Sequence, residues 1–181
     1  MPRIRYYIAA TLDGFVADAA GGVAWLDRFD DPSGYGYEAF YRDIRTLIMG
    51  RATYDQVCDF GEWPYDGKPA YVVTRRPLPE KTLGDVTAVT PEALPDLART
   101  LKSEHTPDAG DIWLVGGPAT AAPLLQTQLV DTLELAVMPA LLGDGISLFP
   151  EGLSAQPLQL LSQQAYADGV LSLVYAFNAQ A

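Results

Sequence analysis

The stretch Asp111-Ile112-Trp113-Leu114-Val115-Gly116-Gly117-Pro118-Ala119-Thr120 decides how the chain is read. Ile112 to Val115 is an apolar run with β-branched and aromatic members, which suits a strand buried on both faces. Gly116-Gly117 ends it. Pro118 then stands where proline suits the first turn of a helix, because its missing N–H would be unpaired there anyway. Ala119 to Gln126 continue that helix. The order strand, two glycines, helix puts backbone N–H groups and a positive helix end at the C-terminal end of a buried strand, an arrangement that receives phosphates. Glycine lets a ligand approach the backbone closely. Two glycines after a strand also serve as a plain tight turn. The stretch matches neither Gly-x-Gly-x-x-Gly nor Gly-x-x-x-x-Gly-Lys-Ser/Thr.

Composition narrows the function classes. The 181 residues suffice for one domain with a sizeable core, and we read 1–181 as a single α/β domain. Apolar content is 49% and charged content 19%, which places the chain among globular proteins rather than disordered ones. No apolar run approaches the roughly 20 residues that span a bilayer. The N-terminus runs straight into a strand pattern and does not read as a signal peptide. Cys58 is the one cysteine, so no internal disulfide forms and a cytoplasmic home is expected. His105 is the one histidine and reads as a solvated loop residue, which leaves no material for a His-based metal site. The net charge of −11 argues against a nucleic-acid partner. Every Lys and Arg lies at or before Lys102, so the later part of the chain offers anions only backbone N–H groups, hydroxyls and helix ends.

Outward from the central stretch, the same grammar recurs. Ile4 to Thr11 reads as a strand, followed by the turn residues Asp13-Gly14. Tyr37, Phe40, Tyr41 and Ile44 have the spacing of an amphipathic helix. Leu47-Ile48-Met49 is a strand that stops at Gly50, and Arg51-Ala52-Thr53-Tyr54 opens a second helix. A cation in a helix's first turn opposes the dipole, so an anion is expected there, either a ligand or a neighbouring carboxylate. Ala70 to Thr74 is a third buried strand, ending in Arg75-Arg76, which could fork a phosphate or form a solvated basic turn. Thr90-Pro91-Glu92 reads as a helix start, with Leu94, Leu97, Ala98 and Leu101 facing the core to about Ser103. Leu129 to Pro139 alternates as a strand. Leu158 to Tyr166 and Val170 to Phe177 flank Ala167-Asp168-Gly169 as an antiparallel hairpin.

Three strand ends now stand together: Met49-Gly50-Arg51-Ala52-Thr53, Val73-Thr74-Arg75-Arg76, and Val115-Gly116-Gly117-Pro118-Ala119-Thr120. With Ala9-Ala10-Thr11-Leu12-Asp13-Gly14-Phe15-Val16-Ala17 at the front, the chain resembles the dihydrofolate reductase fold family. It is most similar to the branch holding the riboflavin-biosynthesis pyrimidine reductase, the C-terminal domain of the bifunctional deaminase-reductase. Leu129 to Leu135, Pro139, Leu142-Gly143-Asp144-Gly145 and Leu148-Phe149-Pro150 resemble that branch's tail. The zinc-binding deaminase half has no counterpart here.

The resemblance implies a dihydrofolate reductase-like three-layer α/β/α fold with a mixed, mainly parallel sheet and an antiparallel C-terminal hairpin. It implies NADPH as cofactor and no metal. Gly50, Arg51 and Thr53 would clamp the pyrophosphate, and Thr74, Arg75 and Arg76 would hold the adenosine ribose and its 2′-phosphate. Gly116 and Gly117 would be the family's Gly-Gly with a cis linkage, followed by Pro118, Ala119 and Thr120 on the phosphates. Ala10 and Val16 would lie beside the nicotinamide. The loop Asp18 to Gly36, with Trp25, would cover it. Trp25, Tyr37 and Tyr41 would line the substrate pocket. Dihydrofolate reductases place an acid early in the first helix; Gly36 or Tyr37 stands there, and Glu38 is the nearby substitute. The expected function is NADPH-dependent reduction of a heterocyclic small molecule, of the 5-amino-6-(5-phosphoribosylamino)uracil reductase type. The alternatives are dihydrofolate reduction and cofactor binding without turnover. A homodimer joined through the antiparallel tail is also expected by resemblance.

Overall fold

The computed structural model describes residues 1–104 and 110–177, so His105 lies outside the described residues. The elements follow in this order: β1 (Ile4–Thr11), β2 (Phe15–Ala17), α1 (Tyr37–Asp43), β3 (Ile44–Gly50), α2 (Arg51–Asp59), β4 (Ala70–Val73), β5 (Val86–Val89), α3 (Leu94–Ser103), β6 (Asp111–Gly116), α4 (Pro118–Gln126), β7 (Thr132–Met138), β8 (Ile146–Ser147), β9 (Gln159–Ala165) and β10 (Leu171–Ala176). Short 3-10 turns occupy Ala24–Leu26 and Gly34–Gly36.

Eight strands form one sheet in the order β5-β4-β3-β6-β1-β7-β10-β9. Contacts from β5 through β7 are parallel, whereas β7-β10 and β10-β9 are antiparallel. The fold is the dihydrofolate reductase-like α/β/α sandwich with a mixed sheet and a C-terminal hairpin. Strand alternation explains the layers, since successive side chains point to opposite faces. Ile48, Ile112, Leu114, Ile4 and Tyr6 pack under α3 and α4 with Leu94, Ala98, Ala121 and Leu124. Leu47, Met49, Val72 and Trp113 pack on the other face, under Phe40 of α1 and Tyr54 and Val57 of α2. Each fully buried aliphatic chain contributes about 1.5–3 kcal/mol.

Three details differ from the sequence reading. The helix expected from Thr90-Pro91 begins instead at Leu94: Thr90 to Ala93 closes as a turn, with Ala93 N–H donating to Thr90 O at 3.1 Å, and Pro95 takes the proline-tolerant first turn. Strand β5 was not anticipated, because its short run lacks a buried face. The two-strand sheet β2-β8 was likewise not anticipated, and it pins the turn after β1 to the 140s loop.

An ionic cluster closes the sheet at the start of its central strands. Arg5 is almost fully buried. Its Nε and Nη2 fork onto Glu134 at 2.5 and 2.8 Å, its Nη1 reaches Asp111 at 3.4 Å and Asp43 at 3.6 Å, and its guanidinium lies 4.5 Å from the centre of the Phe40 ring. Arg3 adds bonds of 2.6 and 3.1 Å to Asp111. Burial alone would push the Asp111 carboxyl up, but the Arg3 hydrogen bonds and the charges of Arg3 and Arg5 together hold it below its ordinary value. A group whose folded pKa is depressed contributes fully above its unfolded pKa and loses that contribution as pH falls through the folded one. We therefore expect Asp111→Asn to cost about 2–3 kcal/mol at pH 7. The gap from the parent should narrow once pH drops below 3.8, the ordinary value for this carboxyl. Urea unfolding midpoints measured at both pH values check this.

Candidate active site

The site begins where two neighbouring strands part. β1 and β6 pair only from Ile4↔Ile112 to Tyr6↔Leu114. Past that point β1 keeps its other neighbour, running with β7 to Thr11↔Met138. A cleft therefore opens between β1 and β6 at their C-terminal ends, the place where ligands bind in open α/β sheets. At the fork, the Trp113 indole N–H donates to Tyr7 O at 3.2 Å. The resulting cavity has a volume of about 980 Å³. It extends from Val73 on β4 to Tyr7, Ile8 and Ala9 on β1, across the ends of β3 and β6. At the usual strand spacing that is a reach of about 14 Å.

Two helix starts stand side by side on the β6 side of this cleft, at the ends of the adjacent strands β3 and β6. Gly50 is the N-cap of α2, and Gly117 is the N-cap of α4. The Gly116-Gly117 peptide is cis, and Gly116 has φ +144°, a region that suits glycine. Gly50 has an ordinary φ of −76°, so its requirement is space: a Cβ added there would stand 2.6 Å from Thr120 Oγ1. The end of β3 and the first turn of α4 thus approach through a missing side chain.

The cavity wall brings together Val16, Gly50, Arg51, Thr53, Gly116, Gly117, Pro118, Ala119 and Thr120. Arg51 Nε pairs with Asp55 at 2.6 Å, so a neighbouring carboxylate does answer that first-turn cation, and Nη1 donates to Pro77 O at 2.9 Å. Ala10 does not line the cavity. It is buried in the core under α3 and α4, and Ile8 and Ala9 are the strand residues that reach the cleft. Thr74, Arg75 and Arg76 also lie off the wall, just past Val73. The Thr74 hydroxyl is used inside its own turn, donating to Arg76 O and accepting from Arg76 N–H. Arg75 pairs with Glu92, and Arg76 stands 3.8 Å from Asp55.

The residues expected around the substrate divide differently. Tyr37 and Tyr41 stack on each other at 5.4 Å and join Tyr7, Phe40, Tyr65 and Trp113 in an aromatic cluster, but neither Tyr37 nor Tyr41 lines the cavity. Trp25 sits beside Leu26 in the covering loop, and Leu26 is the one that lines the cavity. Glu38 is exposed on the outer side of α1 and is not on the wall, because the inward positions of that helix are taken by Tyr37, Phe40 and Tyr41. The sequence reading missed Tyr7 and Trp113, which do line the cavity. Alternation along β1 was the available signal, since Tyr7 and Ala9 share a face. Burial, then Glu134 and Tyr166, push the Tyr7 hydroxyl up to about 12, so it is neutral at ordinary pH.

Comparison with known proteins fits this geometry. The family model of the RibD C-terminal domain matches residues 2–172. The chain belongs to the RibD C-terminal domain family. Among RibD-type relatives, the uncharacterised protein YwjB of Bacillus subtilis (strain 168) is 33% identical over 165 residues, covering 91% of this chain and 92% of that protein. A solved protein of Shewanella sp. PV-4, named for riboflavin biosynthesis, superposes with a TM-score of 0.80 at 26% identity, covering 98% of this chain and 99% of that one. Dihydrofolate reductase from Enterococcus faecalis, solved with NADP(H), gives a TM-score of 0.65 at 18% identity, covering 97% and 96%, and shares the fold. Among the described residues no helix is long and apolar enough to cross a membrane, and no group of three or more His, Cys, Asp or Glu side chains is placed to hold a metal.

The Gly50–Thr120 approach predicts that Gly50→Ala leaves the fold standing but displaces the first turn of α4. Circular dichroism should be unchanged. Affinity for a dinucleotide phosphate ligand, read by calorimetry, should fall about tenfold, the equivalent of roughly 1.4 kcal/mol.

Proposed function

We propose that this RibD-type chain is an NADPH-dependent reductase of a heterocyclic small molecule, using the reaction type of the riboflavin-pathway pyrimidine reductases. The observation that carries this reading is the pair of glycine-led helix starts side by side at the ends of the adjacent strands β3 and β6, along one edge of the fork between β1 and β6. Gly50, Arg51, Thr53, Gly116, Gly117 and the α4 start would receive the pyrophosphate. Backbone N–H groups and the positive ends of α2 and α4 suit that charge. Arg75 and Arg76, beyond Val73, would meet the adenosine 2′-phosphate once their present carboxylate partners give way. Val16, Ile8 and Ala9 would flank the nicotinamide. The cofactor supplies a hydride when bound. The chain's own part is to align the two rings, to exclude water with the Ala17 to Leu26 segment, and to hold the substrate.

Family membership and the fold shared with an NADP(H)-bound dihydrofolate reductase support the cofactor choice. The exposed position of Glu38 weighs against dihydrofolate, whose pterin would lack its acid. The decisive experiment is titration with NADPH and with NADH, following tryptophan fluorescence. NADPH should bind in preference, and Arg51→Ala should weaken it by about tenfold or more, as expected for a lost charged hydrogen bond. Arg75→Ala should weaken NADPH but leave NADH unchanged. Absence of binding by either nucleotide would remove the reductase reading.

The hairpin edge supports the homodimer. All seven residues of β9 are exposed, including Leu160 at 46% and Leu161 at 54%. A long exposed edge strand is a template for pairing with another chain. Sedimentation should show a dimer that dissociates in Leu161→Lys, with secondary structure unchanged.

A further inference from the structure

The two halves of the cleft differ in charge. The half between α2 and α4 holds Arg51 beside two helix starts. The half at β1 presents Tyr7, Ile8, Ala9, Leu26 and Trp113. Among the described residues on the cavity wall, Arg51 is the one Lys or Arg. Most cations elsewhere are committed. Arg5, on the same face of β1 as Tyr7, is forked by Glu134 and also faces Asp111 and Asp43. Arg45 donates to Arg42 O and Ile44 O, and Lys68 donates to Ile44 O while lying over the Tyr41 ring. Arg42 is exposed on the last turn of α1, off the cavity wall. Arg28 stacks on Phe29.

Electrostatics then decides what this half can hold. A phosphate placed against an apolar wall loses water and gains no cation. Glu134 pairs in register with Tyr7 on the adjacent strand, and the chain as a whole carries a net charge of −11, so the surrounding field also disfavours anions. What the wall does offer is ring area. Tyr7 stacks on Phe40 at 4.2 Å and stands edge-on to Trp113 at 6.0 Å, presenting a firm aromatic surface. Such a surface favours flat π-faces, and a neutral tyrosine hydroxyl gives one hydrogen-bonding handle.

We infer that the substrate is a flat ring compound that carries no phosphate group or other negative charge. The inference rests on the proposed reductase reading for assigning substrate to the β1 half. It separates this chain from a pyrimidine reductase acting on a phosphoribosyl compound, although the reaction type stays the same.

The test uses the full chain and two measurements. Inorganic phosphate is titrated into the NADPH-saturated protein, whose cofactor occupies the helix starts and the arginines beyond Val73, with binding read by tryptophan fluorescence and phosphorus NMR. No saturable binding is expected. Saturable binding would reveal an anion site apart from the cofactor's and overturn the inference. In parallel, NADPH consumption is followed with 5-amino-6-ribosylaminouracil and with its 5′-phosphate. A kcat/KM at least tenfold higher for the phosphate-free compound supports the inference, and a preference for the phosphate overturns it. Should neither be consumed, the phosphate titration decides alone. Failure of NADPH itself to bind would remove the reductase reading instead, on which the inference rests.

Discussion

The parting of β1 from β6 is the constraint on which the rest depends. Below the fork the two strands are held by three register pairs and by the Arg5 cluster, which draws β1, β6, β7 and the end of α1 onto one guanidinium. Above it there is no ladder between them. Parallel neighbours stay paired along their length unless something ends the pairing. Here the pairing stops at Leu114, where the register of β6 against β3 shifts from Ile48↔Leu114 to Met49↔Gly116, and β6 then ends at Gly116 and turns into α4. The closed end supplies stability, and the open end supplies the cleft.

One face of β1 records this transition residue by residue. Arg5, Tyr7 and Ala9 share that face by strand alternation. Arg5 is a buried charge that can be held only because carboxylates surround it. Tyr7 follows as an aromatic body whose ring packs below and whose side chain reaches the cleft. Ala9 is small and leaves room. The shift from charge to ring to small side chain converts a tightly bonded sheet into a binding floor within five residues. The opposite face, with Ile4, Tyr6, Ile8 and Ala10, stays apolar and packs on the core under α3 and α4, and of these only Ile8 also reaches the cavity. Ala10 is therefore in the core while Ala9 is in the site.

The fold was legible because its signals are local. Strand, glycine and helix start repeat at Gly50 and at Gly116-Gly117, and the Asp168-Gly169 turn marks the hairpin. Part of the cavity wall could be read for the same reason, since the two helix starts bring Arg51, Thr53 and Thr120 to it, whereas Thr74, Arg75 and Arg76, past the end of β4, stay off it. The substrate end was less legible. Whether Tyr37 or Tyr7 faces the cleft depends on how α1 packs over the sheet, and that is a long-range fact. Both residues have the composition of a pocket and both are half-buried in the cluster around Trp113, but of the two only Tyr7 lines the cavity. Glu38 shows the same limit: helical periodicity placed Tyr37, Phe40 and Tyr41 inward, and this alone turns Glu38 outward. Strands β2, β5 and β8 were missed because each is too short to carry a periodic signal.

The loop over the cleft is held in a way that follows from these contacts. At its start, Asp18 accepts from the N–H groups of Ala20 and Gly22 at 2.8 Å each, closing a turn. At its end, Tyr35 adopts φ +53°, its hydroxyl donates to Asp168 at 2.5 Å and accepts from Asp31 N–H at 3.2 Å, and its ring meets Tyr166 edge-on at 5.0 Å. A non-glycine residue with positive φ persists where its surroundings fix it, and here the fixing partners belong to the β9-β10 turn. Between these anchors the loop presents Val23 and Leu26 to the cavity, while the buried Trp25 indole N–H has no hydrogen-bond partner. An unmet buried donor costs about 1–3 kcal/mol, and the hydrogen bonds of this middle segment, from Leu26 N–H to Val23 O at 2.9 Å and from Asp27 N–H to Ala24 O at 3.2 Å, stay within its own turn. The loop is therefore tied to the sheet and hairpin at its ends and only to itself where it faces the cleft. That distribution suits the proposed reductase, in which this segment would admit a flat ring and then exclude water from it.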